Sequence, residues 1–268
     1  RQRRIREVLA SREKHSLEDM LRLQTDQLSW AAREILGVLR ELRSDDPVAG
    51  EAVAMLQAWD AVESSDSAAA ALYEVWLARH LGPALVRAVV APETARHIPL
   101  PDPRVVRDAL TNPARWFAPD PEKARDTLVL ETLRTAFLEV RRLLGDDPSS
   151  WRWGDLHRNV QPHALGGVDP DLSVGPVPVG GSGSTVNAAS YWPEDFSPNG
   201  GASFRMVVDV GAWDNSVCIN TPGQSGNPRS PHYRDLFETW RRNEYVPMLY
   251  TRSAVEQHVE RRIVLAPR

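Results

Sequence analysis

The amino-acid sequence predicts an α+β fold in which a helical first half precedes a smaller set of strands. Three observations carry that expectation. Apolar residues recur at helical period through residues 1–148. After Gly145 the composition turns to Gly, Pro, Ser and Asp up to residue 203, with few periodic runs. Two β-rich runs then follow, Phe204–Val210 and Ser216–Asn220, each closed by turn residues. Residues 1–148 are therefore read as a helical region and 149–268 as a loop and strand region. Together they make a fragment of one larger domain, because two or three strands with such apolar faces need a larger sheet to join.

Each element has its own warrant. Ile5, Val8 and Leu9 give a short amphipathic start. Ser16 and Asp19 form a capping-box pair, in which each side chain reaches the other's backbone N–H. One helical run is expected from there through Leu21, Leu28, Ile35 and Leu39, stopped by Asp46-Pro47. A second helix covers about 48–59 through Val53, Leu56 and Trp59. A third starts near Ser67 and carries Leu72, Val75, Trp76 and Leu81, with Pro83 kinking or ending it. Asp102-Pro103 and Asp120-Pro121 open two more, the later one running through Leu128, Leu133, Phe137 and Val140. Downstream, short helices are expected at 232–243 and 253–260, then a last β run from Arg262 to Leu265.

Composition narrows the class of protein. The apolar share of 42% and charged share of 25% are those of an ordinary globular chain. A net charge of −4 gives no reason to expect nucleic acid or an anionic membrane surface as partner. No apolar stretch approaches the length that spans a bilayer. The single cysteine, Cys218, sits in an apolar run without a basic neighbour and reads as an inert thiol. Nine tryptophans and 21 prolines suit a large, loop-rich enzyme more than a small binding module.

Several motifs invite chemical readings. Trp151-Arg152-Trp153-Gly154-Asp155-Leu156-His157 precedes His163. Two histidines with Asp155 nearby are metal-ligand types, yet Pro162 breaks any helix between them, so a structural role is preferred and no metal is assigned. Gly180-Gly181-Ser182-Gly183-Ser184-Thr185 lacks the lysine of a phosphate-cradling loop and reads as a glycine turn leading into a strand-like Thr185-Val186-Asn187. Gly223-Gln224-Ser225-Gly226 is one residue too short for a nucleophile elbow, so Ser225 reads as a turn residue despite His232 and Asp235 downstream. Asp26, in Gln24-Thr25-Asp26, is read as a capping carboxylate in preference to a general base.

The order and spacing of these motifs, with Ser230-Pro231-His232-Tyr233-Arg234-Asp235 after the second, resemble the C-terminal part of the large subunit of the penicillin acylase family. Those proteins are N-terminal-nucleophile amide hydrolases. The resemblance implies that this chain supplies outer helices and strands of an αββα sandwich, and that Trp151–His157 is a structural knot whose ring N–H groups and imidazole satisfy buried backbone carbonyls. It implies cleavage of N-acyl compounds such as β-lactam side-chain amides, acyl-homoserine lactones or lipopeptides by an upstream N-terminal serine, without a catalytic cofactor. It places any structural calcium in the upstream part, names other chains of the same processed precursor as partners, and implies a periplasmic or secreted location. It also gives Arg1 a role. Arg1-Gln2-Arg3-Arg4-Ile5 is similar to the helix start that carries the family's arginine supporting the oxyanion-hole asparagine, although Arg4-Ile5 fits that start as well. Neither the N-terminal serine nor that asparagine lies in this sequence. A non-catalytic scaffold or binding subunit of the same shape is the alternative.

Overall fold

The computed structural model describes residues 1–98 and 101–267. The helices, in chain order, are α1 (Gln2–Ala10), α2 (Leu17–Gln24), α3 (Trp30–Leu39), α4 (Pro47–Gln57), α5 (Ala68–Val75), α6 (Gly82–Val89), α7 (Pro92–Ala95), α8 (Pro103–Thr111), α9 (Pro121–Leu144), α10 (Trp153–Leu156), α11 (Phe237–Arg241) and α12 (Arg252–Gln257). A π-helical turn, Trp76–Leu81, joins α5 to α6. The strands are β1 (Arg158–Gln161), β2 (Val174–Pro178), β3 (Ala189–Tyr191), β4 (Pro198–Gly201), β5 (Phe204–Val207), β6 (Val217–Asn220) and β7 (Val246–Pro247). They form the ladders β1-β2, β3-β4 and β5-β6-β7. No described helix is long and apolar enough to cross a membrane.

Two compact units result. One holds Arg1–Ser11, Asp26–Val160 and Gly175–Gly201; the other holds Arg12–Thr25, Gln161–Val174 and Ala202–Arg268. In the first unit α9 is the central helix, packed on α4, α5 and the π-helical turn. Its buried stripe of Val129, Leu133, Phe137 and Val140 follows the expected period. Each such side chain contributes about 1.5–3 kcal/mol by leaving water. Trp76 donates its ring N–H to Thr132 at 2.9 Å, so a large apolar ring is buried without an orphaned donor.

In the second unit β5, β6 and β7 form an antiparallel sheet, with Phe204 opposite Asn220 and Met206 opposite Cys218. Helix α2 packs on β5 and α11 on β6. Gln24 ties helix to sheet, donating to the Met206 carbonyl at 3.3 Å and accepting from the Tyr245 hydroxyl at 2.8 Å. Arg205 lies buried between the Trp240 and Tyr245 rings, its guanidinium held by the Trp240 carbonyl and the Asn243 side chain.

Several expectations need correction. The Ser16 capping box forms, but the run it starts is not one helix to Leu39. It breaks after Gln24, where Leu28 bridges Val62 and Ser29 caps a new helix by accepting from Ala32. Asp26 therefore lies in the break, not on a helix. Pro83 does not end the helical run, which continues from α5 through the π-helical turn Trp76–Leu81 into α6; the irregular turn lies directly before the proline, which lacks the N–H a regular α-helix would use there. The stretch 146–203 is not structureless but carries β1 to β4. Thr185-Val186-Asn187 is turn and bend, not strand, because the Thr185 hydroxyl bonds the Asn187 carbonyl at 2.7 Å and curls the chain. The helix expected at 232–243 is a 3₁₀ turn, Pro231–Tyr233, followed by α11. The β run at Arg262–Leu265 is irregular, with Ile263, Val264 and Leu265 exposed, since β-branched residues make no strand without a partner to pair.

Candidate functional site

The first unit gathers most of the chemistry around the Gly180–Thr185 loop. Gly181 has φ +80°, and a Cβ there would lie 2.4 Å from the Asn187 carbonyl oxygen. Only glycine suits that corner. Its N–H donates to the Glu63 carbonyl at 2.7 Å. The Ser182 N–H donates to Thr185 Oγ1 at 3.0 Å, and the Ser184 N–H to Ser182 Oγ at 3.0 Å. Asn187 is tied to the Asp26 carbonyl through its N–H at 2.9 Å. A short segment with so many internal bonds presents its remaining groups in fixed directions.

One of those groups is the Gly183 carbonyl. Arg1, capping α1, donates to it from Nε at 3.0 Å and Nη2 at 2.7 Å. Arg4, one helical turn on, makes a different pairing. Its Nε and Nη2 donate to Asp26 Oδ2 at 3.0 and 2.7 Å, and Nη1 donates to Glu7 at 2.9 Å. These hydrogen bonds push the Arg4 guanidinium above its already high range, so it stays charged. Asp26 also accepts from the Leu28 N–H at 3.0 Å, so it closes the turn between α2 and α3 and pairs with Arg4, while Ser29 and not Asp26 caps α3.

The Trp-x-Trp-Gly-x-Leu-His segment packs beneath the loop. Trp153 Nε1 donates to the Gly181 carbonyl at 3.0 Å, and Trp151 Nε1 to the Gly145 carbonyl at 2.8 Å. His157 Nδ1 bonds the Val179 carbonyl at 3.0 Å, and its ring stacks on Trp153 with centroids 4.6 Å apart. Burial pushes the imidazole down to about 4, so it is neutral and Nδ1 carries the proton that a carbonyl requires. The three ring N–H groups thus satisfy backbone carbonyls as expected. His163 is engaged separately, its Nδ1 accepting from the Leu165 N–H at 3.1 Å. Among the described residues no group of three or more His, Cys, Asp or Glu side chains is arranged to hold a metal.

Two residues escaped the sequence reading. Glu63 and Glu74 are 0% and 3% exposed, and neither has a cationic partner among the described residues. The Tyr191 hydroxyl donates to Glu74. Glu74 sits in Leu72-Tyr73-Glu74-Val75-Trp76, and an acid inside so apolar a helix is a signal that the sequence does contain.

A model of the penicillin amidase family matches residues 1–257. The chain belongs to the penicillin amidase family. Acyl-homoserine lactone acylase QuiP of Pseudomonas syringae pv. syringae (strain B728a) is 29% identical over 97% of this chain and 35% of its own length. The QuiP protein of Pseudomonas aeruginosa is 27% identical over 100% of this chain and 36% of its own length. The penicillin acylase 2 proenzyme of Pseudomonas sp. (strain SE83) is 42% identical over 37% of this chain and 13% of its own length. The solved thermostable penicillin G acylase of Alcaligenes faecalis is 16% identical, covers 99% of this chain and 52% of its own, and superposes with a TM-score of 0.56. That likeness shows a shared α+β fold. The chain spans about a third of the length of the QuiP relatives it matches.

In this penicillin amidase family member the second signature is a turn. Gly223 packs where a Cβ would meet the His232 carbonyl at 2.3 Å, and the Gln224 and Ser225 N–H groups both donate to that carbonyl. Ser225 Oγ accepts from the Asn227 N–H at 3.1 Å, while His232 Nδ1 faces Asp235 at 2.8 Å. The histidine is thus turned to Asp235, in the turn that leads into α11. Ser225→Ala is expected to leave turnover of the complete enzyme within a few-fold of wild type. A loss of roughly a thousandfold with the fold intact would make Ser225 a nucleophile.

Proposed function

We propose that this chain is the C-terminal part of an amide hydrolase that cleaves N-acyl compounds with a nucleophile upstream of Arg1. The supporting observation is the family match over residues 1–257 in a chain that spans only about a third of its QuiP relatives. An upstream N-terminal serine would attack the amide carbonyl, with its own α-amino group taking the proton directly or through water. Backbone N–H groups and an upstream asparagine would hold the oxyanion. Arg1 would support that asparagine. Gly183 takes part of its donor fork, which orients the guanidinium and leaves its other N–H groups for a neighbour.

Relatives named as acyl-homoserine lactone acylases favour an N-acyl amide with a small polar amine as leaving group, ahead of a β-lactam side-chain amide or a lipopeptide. A relative named as a proenzyme favours processing into chains of one precursor, which would be this chain's partners. By resemblance the mature enzyme would be periplasmic or secreted. The test is to express the complete precursor, read the first residue of every chain by intact mass, and assay N-acyl-homoserine lactones beside penicillin G. A new N-terminal serine with amide hydrolysis supports the proposal. An unprocessed or nucleophile-free precursor without turnover would make the chain a non-catalytic scaffold.

A further inference from the structure

We propose that Glu63 and Glu74 hold a single proton between them, and that this proton keeps the Gly180–Thr185 loop pinned to the core of the first unit. Burial is the first ground. Two carboxylates placed together out of water, with no cation to answer them, cannot both stay ionised. The polar groups that face Glu63 are the hydroxyls of Ser29 and Ser182 and the Glu74 carboxyl, and among the described residues no donor hydrogen-bonds either Glu63 oxygen. Glu74 accepts from Tyr191. An ionised Glu74 between the Tyr191 hydroxyl and a protonated Glu63 satisfies this arrangement, whereas two anions leave Glu63 orphaned.

The Tyr73 hydroxyl is the second, independent ground. It is 1% exposed, has no hydrogen-bond partner among the described residues, and belongs to the same helix as Glu74. Its O–H can add a donor to the pair. The other titratable groups around the pair are Tyr191 from β3 and, 5.8 Å from that ring, the neutral His157 directly after α10. Burial raises Glu63 well above the usual carboxylate range, helped by the Glu74 charge, and burial raises Glu74 as well.

The link to the loop is direct. The Glu63 N–H donates to the Gln27 carbonyl at 2.9 Å, its carbonyl accepts from Gly181, and its carboxyl faces Ser182. Repulsion between two ionised acids would push on the residue that anchors the loop. A folded-state value above the unfolded one means that the associated stability is complete below the ordinary glutamate value of about 4.3 and is lost as pH rises toward the folded value.

The experiment uses the complete processed enzyme, wild type, Glu63→Gln and Glu74→Gln. At pH 8, where ordinary carboxyls are ionised, the infrared spectrum of wild type should show a protonated carboxylic-acid band that Glu63→Gln lacks. The Tm of Glu63→Gln should exceed that of wild type by a few degrees at pH 9 and lose that advantage at pH 5. Amide exchange in residues 179–189 should be slower in Glu63→Gln than in wild type at pH 9. The wild-type infrared titration and Glu74→Gln keep the test open if Glu63→Gln fails to fold. No carboxylic-acid band in wild type at pH 8, or a Glu63→Gln less stable than wild type at pH 9, overturns the proposal. So does a metal ion bound by wild type and missing from Glu63→Gln by elemental analysis. None of these readouts depends on acylase turnover.

Discussion

Trp153→Ala is expected to cost about 4–6 kcal/mol of stability, the largest single-residue effect in the first unit. Removing a fully buried tryptophan costs about 3–5 kcal/mol through lost burial and the cavity left behind. The Gly181 carbonyl would also lose its donor at 3.0 Å, adding about 1 kcal/mol or more. The ring stacks on His157 and meets Tyr191 and Phe196 edge-on at 5.5 and 5.8 Å, so neighbours on several elements lose contact at once. They cannot collapse into the gap easily, because Gly154 beside it is already wedged against Ser65 and Pro178. A loss of this size consumes much of the roughly 5–15 kcal/mol that folded domains hold in reserve. Chemical denaturation of the complete enzyme measures it, with Trp192→Ala as the control. Trp192 is 58% exposed, and its removal should stay within about 0.5 kcal/mol. Equal midpoints for the two variants would show that the knot under the loop holds nothing.

The same knot shows what a sequence makes legible. Its tryptophans and histidine were assignable to backbone carbonyls through the family resemblance, and the chemistry agrees, since a buried ring N–H must find an acceptor. Helix starts at Asp102-Pro103 and Asp120-Pro121 were equally readable, since each aspartate accepts from the first turn and each proline sits where no N–H is needed. Where tertiary pairing decides, local pattern failed. The apolar period runs unbroken from Leu17 to Leu39, yet Leu28 bridges Val62, more than thirty residues away, and the helix stops to allow it. Ile263-Val264-Leu265 has strand propensity and no strand beside it. Glu74 inside the apolar run Leu72–Trp76 was a legible signal, but its pairing with Glu63 was not, because Glu63 alone looks like an ordinary helix-flanking charge. Only the fold brings them into one dry pocket. Arg1 is a mixed case. Its position before α1 is readable, but its grip on Gly183, 182 residues away, belongs to the fold.

Arg1→Ala is expected to lower kcat by about 10- to 1,000-fold in the complete enzyme, if the proposed function holds. That range equals about 1.4–4 kcal/mol of transition-state stabilisation. A group that steadies an oxyanion donor acts while charge develops, so kcat should fall more than KM rises. It should cost less than deletion of the donor itself, which sets the upper end. The geometry adds a specific expectation for Arg1→Lys. Arg1 holds the Gly183 carbonyl with two donors of one planar fork, at 3.0 and 2.7 Å. An ammonium can keep the charge and one bond but not the plane, so lysine should restore only part of the activity. Arg4 supplies the contrast. Its guanidinium is committed to Asp26 and Glu7, so Arg4→Ala should lower stability while leaving kcat nearly intact. Steady-state kinetics on an N-acyl-homoserine lactone, with Tm measured on the same samples, separates the two arginines. Wild-type kcat in Arg1→Ala would remove Arg1 from the site, and a large kcat loss confined to Arg4→Ala would move the family's arginine one helical turn along α1.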